Sequence, residues 1–398
     1  MKYIILLCDG MSDYKIPELN NKTPLGFAQK PEIDSLALSG EVGLCKTIPN
    51  GLKPGSDIAN LSVLGYNPFK DYTGRSPLEA VSMGIKLEST DITLRCNLVT
   101  LSGEDIYEEK HMVDYSADEI SSEESKTLID FIGNKLNSPK YKFYPGVSYR
   151  HCLVVKESKL YNNLTPPHDI TDKQITSYLP EDKELLDLMK KSSKLLAAHP
   201  VNLRRILAGK NPANSIWLWG DGTKPVLPSF KEKYKLKACV ISAVDLVKGI
   251  GMLAGMKVIN VKGATGNIDT NYKGKALAAL DELKRADFIY LHVEAPDECG
   301  HKGDYAGKIK AIENIDKNIV KTLITGLNTM KSEYSILICP DHSTPCAVKT
   351  HTNDLVPYLI YRSTSQVGTN CEYDEESAKR SGIVLEGEQL INRLLSEK

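Results

Sequence analysis

The chain has no long hydrophobic run, no C-x-x-C pair, no excess of charge and no phosphate loop of the G-x-x-x-x-G-K-[ST] type. Each absence excludes something. No apolar stretch approaches the length needed to cross a bilayer, so no membrane partner is expected. The N-terminal apolar run from Tyr3 to Cys8 is stopped by Asp9, too soon for a signal-peptide core. A net charge of −1 gives no global field to recruit nucleic acid or an anionic surface. The nine cysteines are odd in number and scattered. In a chain this long that argues against a disulfide framework and for a reducing, cytoplasmic setting. Internal repeats and low-complexity tracts are also missing.

What is present is enough for a sizeable core. With 398 residues, 41% hydrophobic and 25% charged, the chain reads as a globular protein of two domains. Apolar runs at 3–8, 238–241, 257–261, 288–293, 335–339 and 357–361 read as strands. They alternate with helical spacing over 23–40, 244–253, 273–286 and 304–330. That alternation indicates an α/β fold, a parallel sheet flanked by helices. Between about 91 and 226 the texture changes. A half-exposed strand at 93–101 precedes an amphipathic helix at 121–136, a strand at 149–155, a leucine-rich helix at 181–197 and a strand at 216–219. The expected plan is a discontinuous core of 1–87 and 227–398, interrupted by an inserted α+β domain over 88–226.

Three of the expected core strands end in acid. The first runs into Asp9, the second into Glu294-Ala-Pro-Asp297-Glu-Cys-Gly-His301, and the third into Pro340-Asp341-His342. In open parallel sheets, the carboxyl ends of the strands share one edge, where ligands bind. His351 follows in Lys349-Thr-His-Thr. Carboxylates with imidazoles and no thiolate suit Mn²⁺, Zn²⁺, Mg²⁺ or related ions. Asp297 and His301 are four apart, so one helical turn can aim both at one ion. Asp9 alone would read as a turn residue, and His292, inside its apolar strand, reads as a packed core histidine. There are ligands enough for two ions, the arrangement that stabilises both oxygens of an in-line phosphoryl displacement. Ser56, in Lys53-Pro-Gly-Ser-Asp-Ile-Ala-Asn-Leu, sits at the start of a helix. By type it is an N-cap; with a metal beside it, it becomes an activated nucleophile.

Together, Asp9-Gly10, PGSDIANLSVLGY, D-x-x-x-H at Asp297 and His301, PDH at Asp341 and His342, and the later His351 resemble the alkaline phosphatase superfamily. Within it they resemble the archaeal-type, cofactor-independent phosphoglycerate mutases. TPLGFA, TGRSPLEAVSMGI, DLVKGIG and GATGNIDTNY extend the likeness over nearly the whole chain. The resemblance implies an alkaline-phosphatase-like, mostly parallel sheet with an inserted cap. It implies that Ser56 is phosphorylated while 3-phosphoglycerate and 2-phosphoglycerate interconvert, with no bisphosphoglycerate. It also implies two divalent ions, Mn²⁺ foremost and Mg²⁺, Zn²⁺ or Co²⁺ as substitutes. Asp9, Ser56, Asp341 and His342 would hold one, and Asp297, His301 and His351 the other. The cap would hold glycerate and exclude water.

A small phosphorylated metabolite needs cations, preferably bidentate arginines. The insertion offers Arg95, Arg150, Arg204 and Arg205. Arg150 with His151, and Asn202 with Arg205, are the expected substrate contacts. His168 with Asp169 would shuttle protons at the reorienting hydroxyls, and Lys248 would reach the phosphate. Arg75, in its polar loop, reads equally as an anion ligand or as a solvated side chain. One departure stands out. Familiar archaeal members carry an arginine near the end of the cap, where this chain has Ile216-Trp-Leu-Trp-Gly220. That departure keeps open a homoserine-kinase-like phosphotransferase using the same serine and metals. A phosphatase or sulfatase and a non-catalytic metal-binding protein are the remaining alternatives. Sequence alone leaves the oligomeric state undefined.

Overall fold

The structure is a computed structural model that describes residues 1–161, 163–365 and 368–396. The chain divides into two compact units, Met1–Tyr72 with Val226–Lys398, and Thr73–Pro225. The first is built on an eight-stranded sheet. Its strands lie in the order Val384–Glu386, Glu41–Lys46, Val356–Arg362, Tyr334–Cys339, Lys2–Cys8, Phe288–Val293, Ala238–Ile241 and Lys257–Ile259. Only Val356–Arg362 runs against its neighbours; the pairings of the central strands are parallel.

Lys2–Cys8 is a central strand, which is why Ile4 to Cys8 form an unbroken apolar run with no exposed residue. Burying each of these aliphatic side chains contributes about 1.5–3 kcal/mol relative to leaving it in water. In register, Cys8 lies opposite Val293 and Leu7 opposite Cys339. The residues after these three strands therefore emerge together at one edge. Helices such as Tyr272–Leu283 and Tyr305–Asn314 bury Ala276, Ala279, Leu283, Ala311 and Ile312 in the same core. The expected 304–330 helix is continuous in effect, but its middle turn, Ile315–Val320, is a π-helix.

The second unit carries an antiparallel sheet. Ile92–Leu101 pairs with Arg150–Val155 on one side and with Ser215–Thr223 on the other. Tyr141–Val147 and Met112–Asp114 complete it. Helices Ser122–Leu136 and Lys183–Ala197 lie within the same unit. The chain enters this unit at 72/73, not between 87 and 88. The reason is local: helix Arg75–Ser82 belongs to this sheet, with Ser76 Oγ donating to Thr93 O at 2.9 Å. Ala80, Ile85 and Leu87 share a small core with Cys152 and Val154. No helix among the described residues is long and apolar enough to cross a membrane.

Candidate active site and metal centre

Ser56 is the first residue of helix Ser56–Val63, and the N-cap is the extended Gly55 before it. The serine does not cap the helix. Its Oγ lies 3.0 Å from His342 Nε2 instead; Ile58 N is taken by Asp57 Oδ1 at 2.9 Å, which leaves the N–H groups of Ser56 and Asp57 to meet an anion. One turn on, Asn60 Nδ2 donates to Ser56 O at 2.7 Å and to Asp341 Oδ2 at 3.0 Å. Tyr290 Oη donates to Asn60 Oδ1 at 2.7 Å. This buried amide thus ties the start of the helix to an acid at the sheet edge.

The three acid-terminated strands converge as the sequence predicts. Gly10 N donates to Asp341 Oδ1 at 3.2 Å. Gly10 has φ +59°, and a Cβ there would lie 2.5 Å from Asp297 Oδ1, so only glycine lets the Asp9 loop lie this close. His342 Nε2 is 3.5 Å from both Asp9 Oδ1 and Asp341 Oδ2. Asp297 and His301 occupy one face of helix Ala295–Lys302, with His301 Nε2 3.2 Å from Asp297 Oδ2. His351 Nε2 lies 3.5 Å from Asp297 Oδ1 and 3.0 Å from His301 Nε2. Among the described residues two groups could hold a metal ion: Asp297 with His301 and His351, and Asp9 with Asp297 and His342. Asp297 stands in both.

Proton directions follow from the partners. Lys349 O only accepts, so His301 Nδ1, at 3.0 Å, carries the proton. Thr344 Oγ1 donates its single proton to Asp297, so it accepts from His342 Nδ1 at 3.2 Å. With the rings neutral, as metal binding requires, both Nε2 atoms would turn lone pairs toward the carboxylates. Burial, followed by the charges of Asp341, Asp297 and Glu294, holds Asp9 well above the usual carboxylate range. Asp9 Oδ1 is buried without a hydrogen-bond partner. The hydrogen bond to Asp297 holds His301 up, at about 9; that pull on a proton is equally a pull on a cation. An all-oxygen-and-imidazole donor set with an orphaned carboxylate oxygen fits divalent metal ions.

The sequence reading missed Asn60, Thr344 and Tyr290, and also a buried clamp. Lys308 Nζ binds Asp13 Oδ2 at 2.7 Å and Thr344 O at 2.9 Å. Asp13 in turn accepts from Cys346 N at 3.1 Å. The pair locks the loop after Asp9 to the loop after His342. A lysine in a helix carries no sequence signal for this. Lys248 lies on helix Asp245–Leu253, and that helix packs against Ser56–Val63. Its amine is 3.5 Å from Asp245 Oδ1.

In the second unit the expected contacts sort differently. Arg150 is exposed beside the Tyr149 ring, whereas His151 points the other way, as strand alternation dictates. Its Nδ1 accepts from Gly146 N at 2.9 Å, and burial pushes it down to about 3. Asn202 and Arg205, expected to bind substrate, have their polar atoms engaged within the unit. Asn202 is buried, bonded to Leu196 O, Ala213 O and Ala213 N. Arg205 spends its guanidinium on Asn211 O at 2.9 Å, Glu124 Oε2 at 2.7 Å and Ala117 O at 2.5 Å. Arg205→Ala should therefore lower unfolding free energy by about 2–3 kcal/mol in denaturant melts, leaving kcat/KM of the folded enzyme within about twofold.

A different cationic cluster lies in this unit. Glu79 takes Arg75 Nε at 2.8 Å and Arg95 Nε at 3.0 Å. The Arg95 guanidinium lies 4.3 Å over the Trp219 ring. His168 stands against the other aromatic neighbours, 5.4 Å from Trp219 and 6.0 Å from Tyr115 by ring centroids. Burial lowers its basicity. Asp169, 3.6 Å from His168 Nε2, is exposed. Trp219 does not replace a cation here. It supports one. Against burial, Arg95, Arg75 and Arg150, all within electrostatic reach of Glu79, hold its carboxyl below the usual range.

A family model described as 2,3-bisphosphoglycerate-independent phosphoglycerate mutase matches residues 37–202. A Methanosarcina barkeri protein of that name is 50% identical, with 100% of each chain covered. A solved Pyrococcus horikoshii structure is similar with a TM-score of 0.84 at 30% identity, covering 100% of this chain and 98% of that one. The cofactor-independent phosphoglycerate mutase from Thermoplasma acidophilum is similar at 0.67 and 25% identity, covering 99% of both.

Proposed function

The chain belongs to the 2,3-bisphosphoglycerate-independent phosphoglycerate mutase family, and from that premise we propose that it interconverts 3-phosphoglycerate and 2-phosphoglycerate by passing the phosphoryl group through Ser56. The observation that carries this reading is the 3.0 Å approach of Ser56 Oγ to His342 Nε2, beside three carboxylates. Asp9, Ser56, Asp341 and His342 would hold one divalent ion, and Asp297, His301 and His351 a second, Mn²⁺ being expected. When bound, such ions supply positive charge that lowers the serine pKa and neutralises phosphoryl oxygens.

The chain's own residues do the rest. Asn60 fixes the first helical turn, whose free N–H groups face incoming phosphoryl oxygens. Ser56 Oγ gives up its proton and takes the phosphoryl group as the P–O bond to the first substrate oxygen breaks, and that oxygen gains a proton to leave as a hydroxyl. The freed glycerate reorients, and its other hydroxyl gives up its proton and takes the group back, as Ser56 Oγ leaves and regains a proton. Lys248 is assigned to the phosphate. His168, its basicity lowered by desolvation, is assigned to proton transfer at the glycerate hydroxyls, with Asp169 beside it. The role expected of the inserted unit, holding glycerate, falls to Arg75, Arg95 and Arg150 in place of Arg205 and Asn202. A planar guanidinium stacked on Trp219 is pre-oriented for bidentate carboxylate binding. The homoserine-kinase-like alternative has less support, since this arginine cluster supplies the cations whose absence from 216–220 suggested it.

Turnover of 3-phosphoglycerate by Mn²⁺-loaded protein, coupled to enolase and without bisphosphate, is the expected result. Chelation should abolish it and added Mn²⁺ restore it. No turnover there, with ATP-dependent phosphorylation of homoserine instead, would overturn the reading.

A further inference from the structure

His292 was expected to be a packed core histidine, and the mechanism above makes no use of it. It is fully buried, as expected, yet both ring nitrogens are engaged. Nε2 lies 2.9 Å from Asp9 Oδ2, and Nδ1 lies 3.1 Å from Ser242 Oγ. The register explains the approach: His292 sits opposite Leu7 on the neighbouring parallel strand, two residues before Asp9. Ser242 follows the next strand, Ala238–Ile241.

Val244 N donates to Ser242 Oγ at 2.9 Å, so that oxygen already accepts one bond. The hydroxyl proton then has two acceptors within reach, His292 Nδ1 at 3.1 Å and Val244 O at 3.4 Å, and the imidazole is the nearer. With Nδ1 accepting, the single proton of the neutral ring sits on Nε2 and points at Asp9. Lys275 Nζ donates to His292 O at 3.0 Å and holds the backbone at this point. The effect on Asp9 is specific. Its Oδ2 is tied to His292, while Oδ1 is left buried without a partner, 3.5 Å from His342 Nε2.

We infer that Ser242 and His292 form a positioning relay that turns Oδ1 of Asp9 toward the divalent ion held with Ser56, Asp341 and His342. Ser242 selects the tautomer, and His292 Nε2–H fixes the carboxylate's rotation. The inference rests on the two-ion reading given above. Partners of this kind behind a ligand change metal affinity by roughly 10–100-fold when removed.

The test is Mn²⁺ titration of the metal-free full chain by calorimetry, for wild type, His292→Leu, His292→Gln and Ser242→Ala, with folding checked by circular dichroism. His292→Leu is expected to weaken one of the two ions about 10–100-fold and leave the other within about threefold. His292→Gln, whose amide N–H can replace Nε2–H, should recover most of that loss. Ser242→Ala keeps the ring but frees its tautomer, and should weaken the same ion about three- to tenfold. Mutase activity of each variant should recover at high Mn²⁺ with an unchanged substrate KM. Wild-type affinity for both ions in Ser242→Ala would overturn the inference, even where His292→Leu failed to fold. So would equal weakening of both ions, or a Gln variant no better than Leu. A wild-type isotherm without a second ion would overturn the two-ion reading and this inference with it.

Discussion

Ser56→Ala should lower kcat for 3-phosphoglycerate by about 10⁴-fold or more, because losing a covalent nucleophile removes the reaction's path and not merely a contact. The fold should be untouched. Ser56 Oγ bonds only to His342 Nε2 among the hydrogen bonds described, and the helix is started by Gly55 and held by Asn60. The measurement is the enolase-coupled rate together with the thermal midpoint, which should move by less than a few degrees. Loss of this half-buried hydroxyl leaves no buried group unpaired except the His342 lone pair, which an ion would still use. Substantial turnover by the alanine variant would show that the phosphoryl group does not pass through this residue. A quenched incubation of wild type with labelled substrate should place the label on Ser56, and on no residue of the variant.

Asp297→Asn should cost about 10³-fold or more in turnover, roughly 4 kcal/mol of transition-state stabilisation. The size follows from position. Asp297 is the acid common to both ligand groups, with Oδ2 toward His301 and Oδ1 toward His351. Burial works against its ionisation, but hydrogen bonds from His301 and His351 outweigh it and hold Asp297 well below the usual range. An asparagine is nearly isosteric, so the cavity stays filled and the change is one of charge. Wild type should gain about 2.7 kcal/mol of stability at a free Mn²⁺ concentration one hundred times Kd. The variant should gain little at the same concentration. Differential scanning calorimetry with and without Mn²⁺ reads this directly, and an undiminished gain would remove Asp297 from the ligand set.

The core strands were readable because a strand buried on both faces must be apolar throughout. The run ending at Cys8 and the one ending at Val293 leave no room for another reading. The edge strand Val384–Glu386 and its neighbour Glu41–Lys46 were not read, since Glu41, Lys46 and Glu386 break any apolar run. Glu41 is tolerated there because Arg393 pairs with it across more than 300 residues of chain. Likewise the entry into the inserted unit was placed too late. Helix Arg75–Ser82 carries no local mark of which sheet it will join, and only its bonds to Thr93 and Arg95 decide it.

The same division runs through the site. Sequence by itself marked the candidate ligand types: Asp9, Asp297, Asp341, His301 and His342 each follow a strand or share a helical face, spacing is a local property, and His351 came in with the family resemblance. It could not determine which polar residues of the insertion are left over after the fold has used what it needs. Arg205 and Asn202 look like ligands until their partners are seen, and Trp219 looks like a missing arginine until Arg95 is found stacked upon it. Ser56 itself belongs to both accounts. The Pro-Gly-Ser turn announced a helix start, but only the tertiary structure set its hydroxyl against His342 and left Asp9 with an oxygen to spare. Hydrogen-bond partners distant in sequence consume or release a polar group, and no local pattern records that outcome.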